Sequence, residues 1–212
     1  MKPILFNTPM TQVIASNRKS ATRRIVKPQP NDTFDRHWET FAAEDGEIIV
    51  LKAPYKIGDI LYVRERFCIG RIEYYVEANG RMVPYVNQWN GGKDYISCAY
   101  CLDHNVCVDG VAWKPSIHMP KDAARLFLRV TDVRVERLQE MTVRDLVAEG
   151  FASPADIPYS ASERFDEFKT LWNGTIKPTD LNLYSWDANP WVWVIEFERC
   201  EKSEESTRRE TN

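Results

Sequence analysis

The stretch NRKSATRR, residues 17–24, sets Lys19 three residues before Thr22 and surrounds them with Arg18, Arg23 and Arg24. A threonine hydroxyl is a weak nucleophile and needs a base. A lysine can be that base when burial or neighbouring cations depress its pKa. The three arginines supply the cations, and the same guanidinium groups can hold a phosphate or a developing oxyanion. The plain alternative is a solvated basic turn. A second candidate is Glu149, which closes the segment VAEG. A carboxylate there opposes the helix dipole, so a basic partner from elsewhere in the chain would relieve it.

Three further groups carry chemistry by type and spacing. Cys98, Cys101, His104 and Cys107 lie in CAYCLDHNVC, where thiolates and an imidazole suit zinc. Four protein ligands would leave no open position, so a zinc there would be structural, and free thiols are the alternative. Trp113 with Lys114, and Trp186, Trp191 and Trp193, can stack bases or fill a core. Arg64 and Glu65 end a strand, where they can line a pocket. His118 in SIHMP is a candidate acid or base, with a structural role as the alternative.

These side chains must be positioned by elements that the pattern predicts. KPILF is a strand candidate. TPMTQVIASN predicts a short helix with Thr8 as cap and Pro9 at its first position, ending at Asn17. TRRIVKP is the next strand, so Lys19 to Thr22 falls between helix exit and strand entry. Residues 28–47 read as a loop or weak hairpin. EIIVLKAPYKIGDILYVRERF predicts two strands around a Gly-Asp turn. Residues 68–112, aromatic and punctuated by glycine, read as an irregular insertion. MPKDAARL predicts a short helix, and LFLRVTDVRVERL alternates as a long strand. TVRDLVAEGF is a helix with Thr142 as cap and Gly150 as stop. SASERFDEFKTLWNGTI is an amphipathic helix, PWVWVIEFERC is the last strand, and the tail from Glu201 is expected to be disordered. The count favours an α+β fold built on a small antiparallel barrel with flanking helices. No Gly-rich phosphate loop argues for a parallel sheet.

Composition sets the limits. At 212 residues, the chain fits one domain with insertions, 1–200, and a tail, 201–212. No apolar run is long enough for a membrane span, and MKPILFNTPM is too short and broken for a signal peptide, so a cytoplasmic protein with no membrane partner is expected. The five cysteines then read as thiols or metal ligands before disulfides. Net charge is only −3, yet residues 1–30 hold six Lys and Arg and no acid, a pole that attracts anions.

Four collinear blocks resemble the ASCH domain, a PUA-like family: RKSATRR; PYKIGDILYVRERF; WKPSIHMPKDAARLFLRVTDVRVERLQEMT with AEG after it; and WVWVIEFE. They cover roughly half the chain, and the long form looks like phage- and prophage-encoded members. The resemblance implies a small β-barrel beside a cleft, and binding of RNA or modified nucleosides. One branch that it resembles hydrolyses N-acetylcytidine. Matching that branch's motif, Thr22 would attack the acetyl carbonyl, Lys19 would take its proton, Glu149 would act as acid/base or orient Lys19, and Arg24 would match its arginine. Other members are reported as ribonucleases.

The expectation is therefore a nucleotide or RNA-binding cleft lined by Arg18, Lys19, Thr22, Arg23, Arg24, Arg64, Glu65, Trp113, Lys114 and Glu149. A hydrolase is the alternative, and a phage protein-interaction factor acting through residues 68–112 is a second alternative. No cofactor is required beyond a candidate structural zinc.

Overall fold

The structure, a computed structural model, describes residues 1–31, 34–35, 40–42, 46–88, 93–152 and 157–202, with the main chain alone at 41–42 and 157–160. Residues 203–212 of the expected tail lie outside the described residues. The chain is a mixed α+β fold. Its strands are β1 (Lys2–Leu5), β2 (Ala21–Ile25), β3 (Thr40–Ala42), β4 (Ile48–Val50), β5 (Ile60–Arg64), β6 (Phe67–Val76), β7 (Met82–Asn87), β8 (Asp94–Ser97), β9 (Phe127–Arg137) and β10 (Trp191–Cys200). Its helices are α1 (Thr8–Ala15), α2 (Cys98–Asp103), α3 (Val143–Ala148), α4 (Ile157–Thr175) and α5 (Leu181–Tyr184).

Strands pair in the order β1-β5-β9-β10-β2 in the larger sheet, and this sheet is not closed into a barrel among the described residues. β1 runs parallel to β5, against the all-antiparallel expectation. The chain folds as two compact units. Among the described residues, one comprises those within 1–17, 60–128 and 199–202; the other comprises those within 18–59 and 129–198.

In the second unit, β10 lies between β9 and β2, with Val194 opposite Arg23 and Ile195 opposite Thr22. Residues 191–195 are buried on both faces, so WVWVI reads as a continuous apolar run rather than an alternation. β3, within the expected loop or weak hairpin 28–47, pairs antiparallel with β4, which is the strand expected from EIIV. α3 is opened by Thr142 and Asp145 in a reciprocal capping box and stopped by Gly150 at φ 86°. Phe168 and Trp172 of α4 pack with Leu138, Met141, Leu146, Val192 and Val194. Truncating either aromatic to alanine should cost about 3–5 kcal/mol.

In the first unit, α1 is capped by the Asn7 side chain, which accepts from the Met10 N–H at 2.9 Å, one residue earlier than expected. Asn17 follows the helix at φ 57°, the left-handed conformation expected of it. Residues 68–112 are not irregular. They form a three-stranded sheet, β7-β6-β8, with α2 beside it over a core of Cys68, Val86, Ile96, Cys101 and Val106. Gly70 reads as a break but is a packing requirement: a Cβ there would sit 2.7 Å from the Asn87 carbonyl oxygen. MPKDAARL yields only a 3-10 turn over Lys121–Ala123, closed by a Pro120 start and the extended backbone of Ala124. Among the described residues no helix is long and apolar enough to cross a membrane.

Candidate functional site

The turn into β2 is fixed by its backbone. The Ser20 N–H donates to the Ala148 carbonyl at 2.8 Å, and the Ser20 carbonyl accepts from the Phe197 N–H at 2.8 Å. These two bonds bring Lys19 to the C-terminal end of α3. There the Lys19 Nζ donates to the Glu149 carbonyl at 3.1 Å and to the Glu149 carboxylate. A cation is favoured at this helix end, and its partner carboxylate is thereby excused from the unfavourable dipole. The other Glu149 oxygen accepts from Arg23 Nη1 at 3.2 Å, and Arg23 Nη2 lies 2.9 Å from Asp145 Oδ1. Lys19, Arg23 and Glu149 are all about nineteen-twentieths buried, at 4, 5 and 4% exposure.

Burial pushes the Lys19 ammonium below its ordinary value of 10.5; the attraction of Glu149 opposes this, and the Arg24 and Arg23 charges add to it. Asp145 also titrates low. Burial raises it, but hydrogen bonds from Thr142 and the Arg23 charge outweigh burial. Burial raises Tyr55, and the neighbouring Arg24 charge pulls it back. A buried lysine that loses its proton more readily has the character of a general base.

Thr22 is buried on β2, and strand alternation turns it to the face opposite Arg23. Its hydroxyl makes no hydrogen bond among the described residues, to Lys19 or any other group. The structure therefore joins Lys19 to Glu149 and leaves Thr22 unbonded to either. Arg18 and Arg24 reach the surface, whereas Arg23 is committed to internal acids. Sequence reading put Arg23 among ligand contacts. Its missed partner Asp145 is legible in hindsight only as a capping residue in TVRD.

Glu65, Arg64, Trp113 and Lys114 belong to the first unit. Glu65 is 1% exposed and saturated: Arg125 Nε donates to Oε1 at 2.9 Å, and Arg125 Nη2 (3.2 Å) and the Ser97 hydroxyl donate to Oε2. Arg64 Nη1 donates to the Ile117 carbonyl at 3.2 Å. Trp113 is half-buried with the Arg66 guanidinium 6.0 Å from its ring centre. Lys114 bridges Phe67 by its main chain and exposes its side chain. Arg125 was missed, and nothing in AARL announces it.

The four expected zinc ligands are not gathered. Cys98 and Cys101 are buried, the His104 ring stacks on Tyr100 at 4.0 Å, and the Cys107 thiol donates to Asp109 at 3.6 Å. Among the described residues no group of three or more His, Cys, Asp or Glu is arranged to hold a metal ion. His118 is exposed in a 3-10 turn. In the second unit Trp191 and Trp193 are buried, Trp191 lying under Arg137 at 4.3 Å, and Trp186 packs on the α4 core, so these three fill the interior.

No family model matches this chain, and no curated protein matches it significantly. It is similar to the crystal structure of protein EF3133 from Enterococcus faecalis V583, described with the family model DUF984. The identity is 12%, the match covers 94% of this chain and 80% of that one, and the TM-score is 0.41.

Proposed function

We propose that this chain binds a nucleotide, or a modified nucleoside of RNA, at the Lys19–Glu149 centre, on a fold whose finer form is the small PUA-like barrel of the ASCH resemblance, working in the cytoplasm. The observation that carries the reading is the buried ionic centre itself. Charges taken out of water are weak devices for stability, because desolvation offsets most of their attraction. A buried lysine with a displaced pKa is commoner where a ligand is read or a proton moved. Around it, Arg18 in the turn before β2 and Arg24 on β2 offer two surface cations, which suits phosphates next to a polar base edge.

A hydrolase is the second reading; it uses the Thr22 hydroxyl and requires a bound amide to bring that hydroxyl, unbonded to Lys19 in the structure, within reach of Nζ. With Lys19 neutral, the Thr22 Oγ attacks an amide carbonyl and its proton passes to Nζ. The C–N bond then breaks, Lys19 returns the proton to the leaving amine, and water hydrolyses the threonyl ester. Glu149 holds Nζ in place and shares its proton.

The test is titration with cytidine 5′-monophosphate and a short RNA at several salt concentrations. For the short RNA, with Arg18 and Arg24 each meeting one phosphate, binding should weaken with salt by a log–log slope of about −1.4, and by about −0.7 after Arg24→Gln. Absence of binding, or a slope unmoved by Arg18→Gln and Arg24→Gln, would remove the proposal. Release of acetate from N-acetylcytidine, lost in Thr22→Val, would raise the second reading above the first.

A further inference from the structure

We propose that the first unit holds a separate small-molecule pocket, built from β6, β8, α2 and Arg125, that takes a flat-ringed anion: a carboxylate or phosphate attached to an aromatic ring. The cavity is about 370 Å³ and is lined chiefly by Arg71, Asp94, Tyr95, Ser97, Tyr100 and Arg125. That volume lies within the range of ligand sites, and the lining mixes apolar ring faces with a few convergent polar groups.

Arg125 is the recognition group. Glu65 lies behind it, buried and with both oxygens engaged, so Glu65 acts by holding the guanidinium rather than by touching a ligand. Arg125 presents Nη1, which has no protein hydrogen-bond partner among the described residues. A guanidinium fixed on one edge and open on the other is a preorganised donor for a planar oxyanion. Arg71 adds a second cation to the lining, and Asp94 remains as an acceptor for a donor on the ring.

The two tyrosines of the lining each pack against a neighbouring ring. Phe67 sits 5.9 Å from the Tyr95 ring, and His104 is stacked on Tyr100 at 4.0 Å. The Arg125 guanidinium carbon lies 5.9 Å from the Tyr100 ring centre, so anion and ring subsites adjoin. Ring stacking and a charge-assisted fork together distinguish this ligand from a bare anion or a bare ring. The inference does not rest on the Lys19–Glu149 reading, since every residue in it belongs to the first unit.

The experiment is a ligand-observed NMR titration of the full chain with phenyl phosphate and 4-hydroxybenzoate; inorganic phosphate and acetate serve as anion-only controls and phenol as the ring-only control. At least one ringed anion should bind at least about tenfold more tightly than every control, and which one does so separates phosphate from carboxylate ligands. Tyr95→Ala and Arg125→Lys should each weaken it about tenfold. Arg125→Lys keeps a charge beside Glu65 while removing the fork. If that variant does not fold, Tyr95→Ala and Arg71→Gln decide, since both alter exposed side chains. Ringed anions that bind no better than the controls overturn the proposal, as does affinity within twofold of the parent in the folded variants.

Discussion

Replacing Glu149 by glutamine keeps the shape of the side chain and removes its charge. In the parent that charge faces two buried cations, Lys19 on one oxygen and Arg23 on the other. Arg23 retains Asp145 after the change, while Lys19 keeps the Glu149 carbonyl and faces an amide in place of a carboxylate, with some 1% of its side chain reaching solvent. Removing one partner of a buried pair costs about 3–5 kcal/mol, because the survivor stays desolvated. For a chain of this size each kcal/mol moves Tm by about 2–4 °C, so Glu149→Gln should melt about 6–20 °C lower. The sharper test is the double variant Lys19→Met/Glu149→Gln, which removes the buried ammonium as well. It should recover most of the loss and stand closer to the parent than the single variant does. Urea unfolding followed by the fluorescence of buried Trp172, Trp191 and Trp193 gives both free energies. A single variant that loses less than about 1 kcal/mol would place the pair among surface ion pairs and refute the reasoning. So would a double variant no better than the single.

Other outcomes follow from the same geometry. Asp145 titrates below its ordinary 3.8 in the folded chain, so its stabilising charge is present above the unfolded pKa and is lost as pH falls through the folded one. Asp145→Asn should therefore flatten the loss of Tm below about pH 4 while lowering Tm near neutrality. Burial pushes the Cys68 thiol up to about 11 and Cys101 to about 12. In the native protein at pH 8 a thiol reagent should reach Cys107 and Cys200, both half-buried, well before these two, and all five only after unfolding. Gly70→Ala forces a Cβ against the Asn87 carbonyl, so the β6–β7 pairing must shift; a loss of about 1–3 kcal/mol in urea unfolding, with faster reaction of Cys68, is the expected result.

Much of the positioning frame was legible because it rests on local chemistry. The Thr142 cap, the Gly150 stop, the left-handed Asn17 and the apolar face of α4 are each set by a few neighbouring residues. The pairing of Lys19 with Glu149 was foreshadowed by a carboxylate at the wrong end of a helix dipole, which called for a basic partner. What could not be read is non-local. Nothing near Arg125 in sequence points to Glu65, 60 positions away. Arg23 looked like a surface cation until two acids of α3 and its end closed on it. The β6–β8 sheet was hidden because Gly70, which permits close strand approach, carries the same letter as a turn glycine. The Cys-His set has the residue types of a zinc site, with free thiols as the alternative; helix α2 buries Cys98 and Cys101, and among the described residues no group of three or more is arranged to hold a metal ion.

The measurement that bears most directly on the central proposal is the affinity of the Lys19→Met/Glu149→Gln protein for cytidine 5′-monophosphate, compared with the parent under the same salt. The double variant keeps the fold by the argument above and keeps Arg18 and Arg24, so only the polar centre is removed. If that centre reads the ligand, affinity should fall by at least about tenfold, the loss of one charged hydrogen bond. An affinity equal to the parent's would contradict the account and leave the Lys19–Glu149 pair as a purely structural contact.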